Sequence, residues 1–247
     1  MHQQQPPVNT IAPLTNVSLC MSALERVMNR SRHLPGMVVL YGPAGFGKTK
    51  AATYAANKHR AYHIRCCQLS TRKSILESIL KEMGITPEKT MAGQLEQITE
   101  QLTTSQRPLI VDEIDHLVEK GAVVEIIRDI HDLSACSAIL LIGEERVPGK
   151  LKKWERFHRR ILDWVPAQPA DMHDADQLRR LYVAPQVEIA DDLLQDVHAL
   201  AKGSVGRICV NLDRIQDEAL SNGWTVVDRE TWGKRPLYTG DAPARRV

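Results

Sequence analysis

The stretch Gly42–Thr49, GPAGFGKT, constrains the fold more than any other in the chain. It fits the pattern G-x-x-x-x-G-K-[ST], and it has the setting that pattern needs: the apolar run MVVLY in front and a helical pattern from about Lys48 to Lys58 behind. Glycines let such a loop bend with its N–H groups pointing inward, and donors gathered at a helix N-terminus cradle phosphates. Gly42, Pro43, Ala44, Gly45, Phe46, Gly47, Lys48 and Thr49 are therefore the expected nucleotide-phosphate-binding residues. Lys48 would neutralise the β- and γ-phosphates, and the Thr49 hydroxyl would ligate Mg²⁺.

The rest of the chain reads as the fold such a loop belongs to. Apolar runs at YHIRC, PLIVDE and AILLIG alternate with helical patterns at TRKSILESILKEMG, closed by Gly84, near residues 90–104, and at VVEIIRDIHDL. These runs do not alternate apolar and polar residues, so both faces of each strand are expected to be covered. That predicts an α/β fold, a parallel sheet with helices on both sides. After ILDWVPAQP the strand signals stop, and helical patterns follow near 171–183, 190–201 and 206–222. The expected organisation is a flexible, Gln- and Pro-rich arm at 1–14, an α/β core at 15–165, a small all-helical lid at 166–222 and a tail at 223–247 without clear pattern. With only 4% aromatic residues, the core must be built from aliphatic side chains.

Other compositional signals exclude more than they assign. A formal net charge of +2 leaves any nucleic-acid binding to local patches. The five cysteines, mostly in apolar segments, read as reduced thiols and not as a disulfide framework. No apolar run approaches the roughly 18–20 residues of a membrane span, and the start MHQQQPPVNTIAP lacks the marks of a signal peptide, so a cytoplasmic protein with no membrane partner is expected. None of the nine histidines lies in a paired Cys/His pattern; His59 and His63 straddle a helix end and a strand start, and no metal site of the protein's own is expected.

The run LIVDEID supplies the other half of a nucleotide site. It delivers Asp112 and Glu113 to the carboxyl end of a buried strand, where ligands bind in open α/β sheets. Asp112 would hold Mg²⁺ through its water shell, and Glu113 would orient and deprotonate the attacking water. In GSVGRICVNL, Arg207 follows two glycines at the start of a lid helix, where a guanidinium would reach a γ-phosphate. A polar sensor is expected at the end of LLIGEER, but the residues there are Glu144 and Glu145.

Together, the GxxxxGKT loop, the DE strand end, the basic R-R-I segment before a strand and the G-x-x-x-G-R opening of the helical lid resemble an AAA+ ATPase over about residues 15–222. VVLYGPAGFGKT, RPLIVDEIDHL and SAILLIGEER are similar to the transposition target selectors, the type that includes phage Mu protein B and the Tn7-type regulator TnsC, with the secretion ATPase ExeA more distant. The resemblance implies ATP and Mg²⁺ as cofactors and an ATP-dependent homo-oligomer or filament on largely non-specific double-stranded DNA. It also implies a transposase as partner. The N-terminal end is too short for the helix-turn-helix domain that phage Mu protein B carries there, so DNA contact is expected from the core.

The resemblance further implies an arginine finger supplied by a neighbouring subunit. Arg160 in HRRILDW is the first candidate, Arg159 the second and Arg156 the third. Arg72 and Lys73, at the first turn of a helix, correspond to the region that lines the DNA channel in the resembling ATPases. Lys150, Lys152 and Lys153 in GKLKKWERFHRR form a second DNA-binding patch or a solvated helix face, while Trp154 and Phe157 are expected to pack. The function so read is an ATPase that selects or activates target DNA for a transposase. A helicase-loader or initiator ATPase is the runner-up, and a nucleotide-controlled binding switch with little hydrolysis is the third reading.

Overall fold

The computed structural model describes residues 11–241, so residues 1–10 of the expected arm and 242–247 of the tail lie outside the described residues. The chain divides into two compact units: residues 16–43 with 48–167, and residues 168–241 with 11–15 and 44–47.

The larger unit contains α1 (Thr15–Met28, less its first residue), β1 (Met37–Tyr41), α2 (Lys48–His59), β2 (Tyr62–Arg65), α3 (Arg72–Met83) and α4 (Met91–Ser105). It continues with β3 (Leu109–Asp112), a single 3₁₀ turn (Ile114–His116), α5 (Gly121–Leu133), β4 (Ile139–Gly143), α6 (Val147–Leu151), α7 (Glu155–His158) and β5 (Ile161–Pro166). The strands form one parallel sheet in the order β2-β3-β4-β1-β5. Met37, Val39, Leu109, Val111, Ile139 and Leu141 point to one face, where they pack with Ile75, Ile79, Leu102 and Ile127 from α3, α4 and α5. The alternate residues Val38, Leu40, Ile110, Leu140 and Ile142 are equally buried, and the second face is covered through the alanine stripe Ala51, Ala52, Ala55 and Ala56 of α2. Small side chains there let α2 lie close to the sheet and fix where its first residue, Lys48, stands. The chain leaves β1 for the far edge strand β2, so the carboxyl end of β1 is a switch point, the place where open α/β sheets bind ligands.

Local signals mark the helix ends. Thr71 caps α3 in a reciprocal box with Ser74, and Gly84 closes it at φ 74°. The basic stretch GKLKKWERFHRR is not one continuous helix. It contributes the last turn of α6 and then α7, with Lys152 and Lys153 in the turn between them.

The smaller unit contains α8 (Met172–Tyr182), β6 (Glu188–Ile189), α9 (Asp191–Ala201), α10 (Val205–Asn222), β7 (Val226–Val227) and α11 (Arg229–Trp232). It is helical apart from the parallel pair β6–β7, which departs from an all-helical lid. Strands of two residues are too short to show a period, which is why the sequence pattern misses them. The tail also departs from expectation, since Val227 and Trp232 are buried. Ala12 and Leu14, assigned to a flexible arm, are buried as well, as their apolar side chains favour. Among the described residues, no helix is long and apolar enough to cross a membrane.

Candidate nucleotide site

The loop between β1 and α2 reaches the conformation its glycines allow. Gly45 and Gly47 stand at φ 85° and 82°, backbone angles that L side chains rarely adopt. Lys48 folds back over the loop, its Nζ donating to the carbonyls of Gly42 at 2.7 Å and Pro43 at 2.9 Å. Burial pushes the Lys48 ammonium down from its ordinary value, while Asp115, Glu144, Asp112 and Glu113 oppose that shift by their charge. Lys48 thus sits in the combined negative field of four carboxylates while its Nζ is bonded to carbonyls of its own loop. Thr49, the second residue of α2, accepts at its backbone carbonyl from the Thr53 hydroxyl at 2.9 Å.

Asp112, the last residue of β3, is 1% exposed. Its Oδ1 accepts from the backbone N–H of Glu113 at 2.8 Å, while Oδ2 is buried without a hydrogen-bond partner and lies 4.0 Å from His63 Nε2. A buried carboxylate oxygen left unpaired is costly. With the Thr49 hydroxyl it gives the all-oxygen donor chemistry that Mg²⁺ takes, so these residues fit that ion. Glu113 sits in the left-handed region at φ 57°, which turns the chain out of the strand into the 3₁₀ turn. Its carboxylate is ion-paired with Arg65, and His116 Nε2 lies 3.5 Å away. The hydrogen bond from Arg65 holds the Glu113 carboxyl below the usual range, and His116 adds to the effect.

Arg65, His63, Asp115 and His116 were missed by the sequence reading. Only the pairing of β2 with β3, which sets Arg65 opposite Asp112, brings Arg65 to the site. Asp115 had a visible signal as the second aspartate of DEID. Its Oδ2 accepts from the Glu144 backbone N–H at 2.7 Å, and burial raises its carboxyl above the ordinary range. At the expected sensor position, Glu144 thus contributes a backbone contact, and its side chain is exposed.

The expected cations divide by environment. Arg160 is bound by Asp132 of α5, Nε to Oδ1 at 3.0 Å and Nη2 to Oδ2 at 2.8 Å, and Asp132 also meets His131 Nδ1 at 2.8 Å. Arg159 pairs with Glu155, and Arg156 is exposed without an ion pair among the described residues. The Arg160 carbonyl accepts from Met37 N–H at the amino end of β1, while the phosphate loop follows its carboxyl end. The strand between them spans roughly 13 Å at about 3.3 Å per residue, so Arg160 lies at the opposite end of the sheet from its own loop. Arg72 and Lys73 are exposed at the start of α3, Lys73 lying 3.6 Å from Glu77. Lys150 and Lys153 both pair with Glu119, at 3.4 and 2.7 Å, and Lys152 is exposed. Trp154 and Phe157 pack, the indole N–H donating to the Val118 carbonyl at 2.9 Å and Phe157 being fully buried. In the smaller unit, the Ser204 side chain caps α10 by accepting from Arg207 N–H, and the Arg207 guanidinium lies against Gly240.

A glycine-rich loop at the switch point of this parallel sheet, followed by a strand ending in Asp112 and by a helical C-terminal region, has the architecture of the P-loop AAA+ fold. Residues 31–151 match the family model described as AAA domain. Solved structures that share the fold include the following three. The first is domain III of the replication initiation protein DnaA from Thermotoga maritima, with TM-score 0.58 and 16% identity over 92% of this chain and 95% of that one. The second is Cdc6p from Pyrobaculum aerophilum, with TM-score 0.64 and 15% identity over 90% of this chain and 66% of that one. The third is the Aeropyrum pernix ORC1 protein in complex with DNA, with TM-score 0.59 and 18% identity over 87% of this chain and 62% of that one. The chain thus spans less than two thirds of the ORC1 structure. No curated protein matches the sequence significantly.

Proposed function

We propose that the chain is an ATP-hydrolysing, DNA-binding AAA+ protein that oligomerises on DNA with ATP and selects or activates target DNA for a transposase. The observation that carries the ATPase reading is the convergence of Lys48, Thr49, Asp112 and Glu113 at one sheet end, with Asp112 Oδ2 buried and unpaired. Lys48 would exchange its bonds to Gly42 and Pro43 for phosphate oxygens. Thr49 and Asp112 would hold Mg²⁺, which when bound neutralises charge on the phosphates. Glu113, once released from Arg65, would orient water and take its proton.

DNA binding and the transposase partner rest on the motif resemblance and on the exposed Arg72 and Lys73. One further observation favours the runner-up, a helicase-loader or initiator ATPase: the structures of similar fold include an initiation protein and a chain bound to DNA.

Glu113→Gln is the direct test of hydrolysis. Turnover should fall about a hundredfold or more while nucleotide binding persists; unchanged turnover removes Glu113 as the base. Electron microscopy with ATP or a slow analogue should show filaments or rings on non-specific duplex DNA. Their absence, with hydrolysis or loading of a helicase intact, would favour the initiator reading.

A further inference from the structure

The nucleotide site makes no use of a cavity of about 490 Å³ between the carboxyl half of α2 and the edge strand β2. Its polar side chains are Thr53, Asn57, Arg60, His63, Glu82 and Arg107. Asn57 lies roughly 13 Å along α2 from Lys48 at about 1.5 Å per residue, which separates the cavity from the phosphate loop. Two cations of this lining have no acid to neutralise them. Arg107 is held in place, its guanidinium stacked over the Tyr62 ring at 4.0 Å and its Nε donating to the Arg60 carbonyl. Its Nη groups are left without a hydrogen-bond partner among the described residues. Arg60 closes α2 at φ 52° and has no ion pair there either, and Glu82, the single acid of the lining, is paired with neither arginine.

A guanidinium already oriented by stacking loses little freedom when its fork takes up the oxygens of an anion. A phosphate monoester, with a charge of about −1.5 to −2 at neutral pH, matches two such cations better than a carboxylate with its single charge. The cavity leaves room beyond a phosphate group, and Asn57 and Glu82, which have no hydrogen-bond partner among the described residues, offer donors and acceptors to hydroxyl groups on the rest of a small polar molecule. His63 connects this recess to the nucleotide site. It lines the cavity, and its Nε2, buried without a hydrogen-bond partner, lies 4.0 Å from Asp112 Oδ2, which is buried and unpartnered in the same way. The pairing of β2 with β3 brings them together, since His63 stands opposite Ile110 on the strand that ends in Asp112. A ligand that moves this imidazole therefore changes what faces the carboxylate assigned to Mg²⁺.

We propose that this cavity binds a small phosphate monoester, its phosphate held by Arg60 and Arg107, and that His63 transmits the occupancy of the cavity to Asp112. The site itself is independent of the ATPase reading above; the link to Asp112 rests on that reading.

The test uses the full chain with ADP and Mg²⁺ saturating the loop, and ribose 5-phosphate as the probe. Calorimetric titration should show a single site, weakened about tenfold or more by Arg60→Gln or by Arg107→Gln, and ribose without phosphate should not bind. Glutamine keeps much of each stem, so weaker binding with unchanged thermal unfolding is the loss of the cation. Lys48→Ala, titrated without nucleotide, should bind the ester as the wild-type chain does. The link is read from the Mg²⁺ midpoint for binding of a fluorescent ADP analogue, which the ester should shift about threefold or more in the wild-type chain and leave unmoved in His63→Leu. No binding by the wild-type chain, binding that survives both glutamine substitutions, or binding lost in Lys48→Ala alone overturns the site. An unshifted midpoint in the wild-type chain, or a shift that persists in His63→Leu, overturns the link and leaves the site standing. Analogue binding that does not respond to Mg²⁺ at all removes the Mg²⁺ assignment and the link with it, while the calorimetry still decides the site.

Discussion

Glu113 is the residue at which the structure adds most to the sequence. LIVDEID makes it the proposed base, but its carboxylate is occupied by Arg65 and flanked by His116. A base held in an ion pair is weakened and misdirected, so Arg65→Ala should raise basal ATP turnover severalfold, as measured by phosphate release without DNA. Unchanged or lower turnover would make Arg65 a positive contributor to catalysis. Arg160 gives a second residue-scale prediction. Burial alone would raise the Asp132 carboxyl, but hydrogen bonds from Arg160 and His131 outweigh it and hold the group below its usual range. Stability from a depressed carboxylate is present above the unfolded value and is lost as pH falls through the folded one. Arg160→Ala should therefore cost up to about 1 kcal/mol at neutral pH, because both partners are near one third exposed and screened. The cost should begin to shrink as pH falls through the ordinary aspartate value of about 4 and vanish only at an acid pH where the folded Asp132, too, is protonated. Urea denaturation across that pH range checks this, and a pH-independent loss would place the effect in packing.

At the scale of elements, the core helices and strands were legible where a long period or a cap was present. The patterns near 90–104 and 206–222 correspond to α4 and α10, capped by Thr90 and Ser204. GKLKKWERFHRR was less legible, because its division into two short helices depends on a remote partner. Trp154 lies over Gly121, the first residue of α5, where an added Cβ would stand 2.2 Å from the indole. Gly121→Ala should displace Trp154 and cost about 1–3 kcal/mol by overpacking. Loss of thermal stability with a change in tryptophan emission would show it, and unaltered emission would mean that α5 shifts instead. The charges of this stretch are also divided among partners. Lys150 and Lys153 meet Glu119, while Arg160 meets Asp132, so one basic run in the sequence has two separate attachments in the fold.

For the whole molecule, the position of Arg160 bears on assembly. It lies at the amino end of β5, at the opposite end of the sheet from the loop of its own chain. If it acts as a finger, it must act on another copy, after leaving Asp132. Mixing Arg160→Ala with Lys48→Ala subunits, each inactive alone, should restore part of the turnover, because some interfaces would combine an intact loop with an intact arginine. No recovery at any ratio would remove Arg160 from this role and direct attention to Arg156, which carries no ion pair among the described residues.

The sequence by itself determined the phosphate loop, the acidic strand end and the alternation of buried strands with helices, because each depends on residues close together in the chain. Gly45 and Gly47 supply the positive φ the loop needs, and the uninterrupted apolar runs supply strands buried on both faces. The tertiary structure decided which strands are neighbours, and with that which side chains meet. Arg65 reaches Glu113 because β2 pairs with β3, and Arg160 reaches Asp132 because the end of α7 comes beside α5. Strand order and helix docking are set by packing summed over the whole core, so no local pattern of residues encodes these pairings.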